Sequence, residues 1–173
     1  DYGIINPLQV GTEHYADLDV CCLLPKGFAR HKRMMPLLVH LGSLQRSRRI
    51  ELLEQAEEWV RNHHMPLFSA LFTSQYDAGH VRAMLVDRMV CRRPDRVGVW
   101  LRYHDPRVFR HLQWLLDAEQ RSALMGPAVI WLGFDPLLRH WCRWRRPYSQ
   151  GNQRLYLSQE QWQAIEQVEA LNR

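Results

Sequence analysis

Short apolar runs alternate along this chain with longer segments whose apolar residues recur at helical spacing. Runs that are apolar throughout are typical of buried strands, whereas apolar residues three or four positions apart are typical of helices. This alternation predicts an α/β fold, a mixed β-sheet flanked by helices on both faces. The predicted strands are residues 14–24, 35–41, 67–72, 97–103, 128–132 and 140–146, and the helical stripes are residues 52–60, 81–89 and 108–116.

The end of the chain carries the clearest local signal. Ser158 as N-cap, with Gln161 three residues later, makes a capping box, and Leu157 is placed to pack on Trp162 as a hydrophobic staple. Trp162 and Ile165 then begin an apolar stripe at helical spacing. We therefore divide the chain into an α/β lobe, residues 1–157, and a C-terminal helix, residues 158–173.

A strand-to-helix junction lies in the middle of the sequence. The apolar run 97–103 leads into Asp105-Pro106. Asp is a favoured N-cap because its side chain accepts the unpaired amide protons of the first turn, and Pro suits the first helical position because it has no amide proton. Arg102 and Arg107 flank the aspartate, so we predict an ion-pair network that braces the junction. The alternative is an anion bound by the two arginines at the helix N-terminus.

The junction also carries a family resemblance. The segment Arg102-Tyr103-His104-Asp105-Pro106-Arg107-Val108, followed by Met125-Gly126-Pro127, resembles the signature of bacterial type VI secretion effector chaperones, or adaptor proteins. These proteins were long described only as a domain of unknown function. His104 stands where the family pattern has Tyr. Weaker similarity around residues 15–19, 36–39 and 156–158 extends the resemblance over most of the chain.

The resemblance implies a function and a role for the motif. It implies the N-terminal lobe of an adaptor that binds a toxic effector in the cytoplasm and helps to load it onto the VgrG spike, by binding and not by catalysis. The final helix would then lead to a second, largely helical lobe. The motif residues are expected to be structural; they are Arg102, Asp105, Pro106, Arg107, Gly126 and Pro127.

Composition is that of an ordinary globular chain. Of the 173 residues, 46% are hydrophobic and 24% charged, which suits a single domain with one core. No apolar run approaches the roughly 20 residues needed to span a bilayer. The N-terminus, which starts at Asp1, lacks the pattern of a secretory signal. We therefore expect a cytoplasmic protein that makes no contact with a membrane.

Candidate catalytic and metal-binding chemistry is sparse. The four cysteines have no paired spacing, so we expect free thiols, no metal and no cofactor. None of the common nucleotide-binding or hydrolase motifs is present, so we expect no enzyme activity. Two alternatives stay open: a metal site that uses His63 and His64, and a Cys–His dyad of His140 and Cys142, which share one face of a predicted strand.

An arginine- and tryptophan-rich strand is the strongest feature outside the resemblance. The net charge of +5 comes almost wholly from arginine, and residues 139–146 alternate arginine with tryptophan. Such a strand can bind single-stranded nucleic acid, form a protein interface, or be structural. The alternative function is therefore a nucleic-acid-binding module, although nucleic acid is the less expected partner, and an unrecognised hydrolase ranks third. The candidate interface residues are Trp141, Arg143, Trp144, Arg145, Trp162 and Ile165.

Overall fold

A computed structural model of the chain describes residues 1–93, 95, 97–146 and 155–171, with the side chains of the last helix described to residue 167. The strands are β1 (Tyr2–Ile5), β2 (Val20–Cys22), β3 (Leu37–Val39), β4 (Ala70–Ser74), β5 (Val90–Arg92), β6 (Gly98–Trp100), β7 (Ala128–Asp135) and β8 (His140–Arg145). The α-helices are α1 (Arg46–Asn62), α2 (Ala78–Arg88), α3 (Pro106–Leu115), α4 (Ala118–Met125) and α5 (Gln159–Leu171).

Six of the strands form one sheet in the order β2-β3-β1-β4-β7-β8. Every strand pair described in this sheet is antiparallel. Strands β5 and β6 form a separate antiparallel hairpin. The predicted α/β fold is confirmed, and β8 is an edge strand paired with β7.

Each face of the sheet packs on its own hydrophobic core. Because side chains alternate along a strand, Ile4 of β1 enters the core beneath α2, α3, α4 and α5, while its neighbour Ile5 enters the core beneath α1. We call these the first and the second face. Helices therefore cover both faces, as predicted, but four lie on the first face and one on the second.

Several predicted elements differ in extent from the observed ones. The predicted strand 14–24 is largely irregular, because Tyr15 and Leu18 are joined by a turn hydrogen bond of 3.1 Å and both point into the core. Strand β1 gave no recognisable pattern, since it is four residues long, yet it lies in the middle of the sheet. The signature strand shortens to β6 and lies outside the main sheet. A further helix follows the predicted stripe 108–116, because an Asp117 capping box starts α4.

The C-terminus of α4 is closed by two arginines. Arg88 is only 8% exposed, and its guanidinium donates to the carbonyl oxygens of Ala123 at 2.8 Å and Met84 at 2.9 Å. Arg146 donates to the carbonyl oxygen of Gly126 at 3.1 Å. Cations are favourable at helix C-termini, where carbonyl groups lack partners. Gly126 has a φ of +54°, and a Cβ there would lie 2.3 Å from Nε of Arg88.

Gly126→Ala is expected to destabilise the fold more than a positive φ alone would. Gly27 is the matched control, because its φ is +90° but no atom lies within 4 Å of the position that a Cβ would take. We expect Gly27→Ala to cost about 1–2 kcal/mol. Gly126→Ala should cost about 1–3 kcal/mol more, because it also displaces Arg88. Urea unfolding of the two variants measures the difference, and equal costs would contradict the role given to Arg88.

Candidate functional site

Asp105 is the centre of the junction that the sequence singled out. The residue is 2% exposed, and its carboxylate accepts a hydrogen bond of 3.0 Å from the backbone N–H of Arg107. The Arg107 guanidinium donates to the same carboxylate through Nε at 3.0 Å and Nη2 at 2.7 Å. Pro106 occupies the first turn of α3. The predicted N-cap is confirmed, and the cap and the ion pair are one interaction.

The predicted network is correct for Arg107 but wrong for Arg102. The guanidinium carbon of Arg102 lies 6.0 Å from the Trp100 ring centroid, a cation–π arrangement. The ion pair of Asp105 within the described residues is made by Arg107. Nε2 of Gln9 also donates a long hydrogen bond of 3.5 Å to Oδ1 of Asp105. Arg102 is therefore an exposed cation beside an aromatic ring that makes no direct ion pair with Asp105 and acts on it only through its charge.

Electrostatics at Asp105 favour the ionised form. Burial by itself raises the pKa of Asp105, but the hydrogen bonds from the Arg107 side chain and backbone outweigh burial and lower that pKa below its ordinary value. The Arg107 side chain is 60% exposed, so water still solvates the cation while the carboxylate is enclosed. The Asp105 carboxylate already occupies the N-terminus of α3, which counts against the anion-site alternative at that position.

His104 is buried beside this pair. The residue is 2% exposed, and its ring lies 6.1 Å from the centroids of both Trp100 and Tyr103. Burial, with a smaller contribution from Arg102, lowers the pKa of His104 to about 3, although Asp105 opposes the shift. The imidazole is therefore neutral in the folded protein, and its Nδ1 has no hydrogen-bond partner among the described residues.

An open groove of about 710 Å³ begins at this junction, between α3, α5 and β6. From α3 it is lined by Val108, His111 and Leu115, which recur at helical spacing and are half-buried. Trp114 stands on its rim and is 60% exposed. A large aromatic side chain with that exposure beside an apolar groove is typical of a binding surface.

The walls of the groove are held by polar contacts at α5. Gln161 donates through Nε2 to the carbonyl oxygen of Leu115, the end of α3, at 2.7 Å, and exchanges two hydrogen bonds with Gln120 of α4. At the other wall, Arg93 donates to Glu166 at 2.6 Å and lies 5.7 Å above the Trp162 ring. These contacts fix α5 to α3, α4 and the β5–β6 hairpin.

The groove is lined by apolar side chains and two arginines, and three ring nitrogens lie buried behind this lining. The ring nitrogens Nε1 of Trp100, Nε1 of Trp162 and Nδ1 of His111 are buried and have no partner within the described part of the chain. An indole N–H can only donate, and an unsatisfied buried donor costs about 1–3 kcal/mol. Arg102 and Arg107 line the end nearest the junction. A ligand with apolar groups and oxygen acceptors matches this lining.

Several predicted site residues have other roles. Trp144 is 8% exposed and packs on Phe109 with ring centroids 4.5 Å apart, and Trp162 is 7% exposed within the same core. Neither tryptophan is exposed as the sequence suggested: Trp144 is a core residue on the first face, whereas Trp162, also buried there, lines the groove. Ile165 is half-buried and lines the groove. Trp141, Arg143 and Arg145 lie on the second face, away from the groove.

The Cys142–His140 alternative has the expected proximity but not the chemistry of a nucleophile. Sγ of Cys142 lies 3.3 Å from Nε2 of His140. Burial raises the pKa of Cys142 although a hydrogen bond with Gln113 opposes the shift, so the thiol stays protonated, and a thiolate is what reacts. His63 caps α1 by donating to the carbonyl oxygen of Trp59 at 3.0 Å. Among the described residues no three His, Cys, Asp or Glu side chains are grouped to hold a metal ion.

Residues 11–123 match a family described as a domain of unknown function, DUF4123. This range is more than half of the chain. The chain belongs to the DUF4123 family. The matched range contains the whole junction and α3, and it ends before β7, β8 and α5. No curated protein and no solved structure matches the chain significantly. Within the described residues of this DUF4123 chain, no helix has the length and apolar character to cross a membrane.

The sequence did not reveal how the groove is assembled. Gln161 was recognised as a capping-box residue, and the hydrogen bonds between Ser158 and Gln161, 2.8 and 3.2 Å, confirm that role. Its second role, on the end of α3, depends on a contact between residues 46 positions apart. Trp114 and His111 gave no signal at all, because the groove exists only where α5 approaches α3.

Replacement of Asp105 tests the junction. Asp117 is the matched control, since it is also an aspartate N-cap but is exposed. Asp117→Ala should cost about 1 kcal/mol. Asp105→Ala should cost about 2–3 kcal/mol, because the hydrogen bonds to a charged arginine are lost as well. Because the folded-state pKa of Asp105 is lowered, this excess should persist down to about pH 4 and decline below it. Equal costs at neutral pH would contradict the ion pair.

His104 predicts a second pH dependence. Its folded-state pKa of about 3 lies below the ordinary value of 6.5, so the unfolded chain binds a proton first as the pH falls. The neutral His104 imidazole therefore contributes to the free energy of unfolding above about pH 6.5. This contribution is lost as the pH falls from about 6.5 towards 3, by up to about 1.4 kcal/mol per pH unit. His104→Gln should flatten the stability curve between about pH 4 and 6, whereas His64→Gln, at an exposed position, should not. Parallel curves for all three proteins would refute the burial of a neutral imidazole.

Proposed function

We propose that this chain is an adaptor that binds a type VI secretion effector in the cytoplasm and assists its loading onto the VgrG spike. The observation that carries the proposal is the groove between α3 and α5, built on the junction whose sequence resembles these adaptors. Membership of a family without an assigned function is compatible with this proposal. The resemblance supplies the biological context, and the groove supplies a surface able to bind a protein.

The lining of the groove favours a protein ligand. Protein interfaces are enriched in tryptophan and arginine, and their anchors fill apolar pockets rimmed by polar groups. Trp114 and Arg102 stand on the rim, while Val108 and Leu115 supply the apolar wall. A peptide segment with apolar side chains therefore fits the groove.

Binding without catalysis is the proposed mode of action. Asp105 and His104 are the titratable residues that the sequence placed next to each other, but Asp105 is committed to Arg107 and His104 is buried and neutral. Neither is arranged as a general acid or base near a substrate. The adaptor would act by holding an effector segment on a preformed surface until the spike takes over the complex.

The proposal is tested first by the genes next to the one that encodes this chain. Genes for a VgrG spike and a toxin should lie beside it, and their protein products should co-purify with the chain when all three are produced together. Neighbouring genes of an unrelated pathway would count against the adaptor function before any protein is made.

Trp114→Asp is the variant that tests the groove itself. Because Trp114 is 60% exposed, its replacement should leave the fold unchanged and weaken effector binding by at least about tenfold, as expected for an interface anchor. Ile50→Asp is the control, since Ile50 is 46% exposed but lies on α1, across the sheet. Calorimetric titration measures both affinities. Unchanged binding by Trp114→Asp, or an equal loss in Ile50→Asp, would contradict the assignment of the groove.

A further inference from the structure

The second face of the β7–β8 hairpin carries an apolar column beside a cationic one. The strand register pairs Ile130 with Arg145, Leu132 with Arg143, and Phe134 with Trp141. Directly opposed residues in an antiparallel pair lie on the same face of a sheet. We call the surface formed by Ile130, Leu132, Trp141, Arg143 and Arg145 the Arg/Trp face.

This surface is not covered by the second-face core. That core contains Leu71 of β4, but neither Ile130 nor Leu132, which are half-buried. Trp141 is half-buried on the edge of Phe134, with ring centroids 5.4 Å apart. Helix α1 therefore covers one side of the second face. On the β7–β8 side, Phe134 near the hairpin turn is buried and Arg139 donates to the carbonyl oxygen of Val60 at the end of α1, whereas the rest of the hairpin face is only partly covered.

The charges of the Arg/Trp face have no partners within the described part of the chain. Arg143 and Arg145 are exposed, and the ion pairs found there involve other residues. Two unpaired guanidinium groups on an edge strand, beside apolar side chains, complement carboxylates on a partner. Arginine is suited to this use because its planar fork binds a carboxylate through two hydrogen bonds.

We propose that the Arg/Trp face is a docking surface for an acidic protein segment that combines carboxylates with apolar side chains. The carboxylates pair with Arg143 and Arg145, and the apolar side chains cover Ile130 and Leu132 beside the Trp141 ring. The proposal does not depend on the identity of the ligand in the groove.

The burial of Trp144 favours a protein over nucleic acid at this surface. Single-stranded nucleic acid binds where aromatic rings offer a series of stacking platforms along a cationic track. Of the two tryptophans in β8, Trp144 is 8% exposed and points to the first face, and Trp141 already contacts Phe134 with one part of its ring. A single partly covered ring is a poor platform for successive bases, whereas arginine beside aliphatic side chains suits an acidic amphipathic segment.

The position of the Arg/Trp face allows two ligands at once. The groove lies on the first face, against α3 and α5, and the Arg/Trp face lies on the second face of the same sheet. A segment held in the groove and a segment held on the Arg/Trp face are separated by the sheet. An adaptor that joins two proteins requires this kind of separation.

A charge-reversal experiment tests the surface. The probes are two short fluorescent peptides, one of alternating glutamate and valine and one of alternating lysine and valine, with single-stranded oligothymidine as a third. Anisotropy at low ionic strength should show that the unmodified chain prefers the glutamate peptide over the lysine peptide by at least about tenfold. The variant R143E/R145E should reverse that preference. The control R30E/R33E changes the net charge equally at two exposed positions and should keep the original preference.

The other outcomes overturn the proposal. An equal loss of preference in R30E/R33E would show attraction to net charge without a defined surface. Tighter binding of oligothymidine, abolished by R143E/R145E, would show a nucleic-acid site. No preference in the unmodified chain would show that the surface is inert. If R143E/R145E fails to fold by circular dichroism, R143Q/R145Q replaces it and must abolish the preference without reversing it.

Discussion

The buried carboxylate of Asp105 determines where α3 begins and how it lies on the sheet. It serves as the helix N-cap and as the acceptor for Arg107 at the same time. The start of α3 in turn places Phe109 on Gly133 of β7, where a Cβ would come within 2.2 Å of the Phe109 ring. The ring can therefore approach the strand closely. The opposite side of α3 forms one wall of the groove. The position of this wall therefore depends on the Asp105–Arg107 interaction at the start of the helix.

The groove itself is a product of tertiary assembly around this helix. Its second wall, α5, is held by Trp162 in the first-face core and by amide side chains. Gln161 satisfies its own capping box and an unpaired carbonyl at the end of α3, while Gln120 satisfies the capping box of α4 and donates to the carbonyl oxygen of Tyr156. Such polar links leave the apolar side chains between the helices partly uncovered.

The tryptophans of β7 and β8 differ in burial although they are the same residue type. Trp131 and Trp144 are directly opposed on the first face and are buried, while Trp141, three residues before Trp144, is half-buried on the second face. Trp141 and Trp144 point to opposite faces because side chains alternate along a strand and the two residues are an odd number of positions apart. The sequence correctly placed His140 and Cys142 on one face of this strand. It could not predict that one face would be covered by α3 and the other left open.

Local interactions determined what the sequence could predict. The sequence identifies Asp105 and Ser158 as N-caps and residues 140–146 as a strand, because caps and alternation act within a few residues. The central position of β1, the exclusion of β6 from the main sheet and the burial of Trp144 and Trp162 were decided only in the tertiary structure. Each depends on pairing between segments tens of residues apart, and that pairing is set by which apolar faces meet, a property that no single segment of the chain possesses.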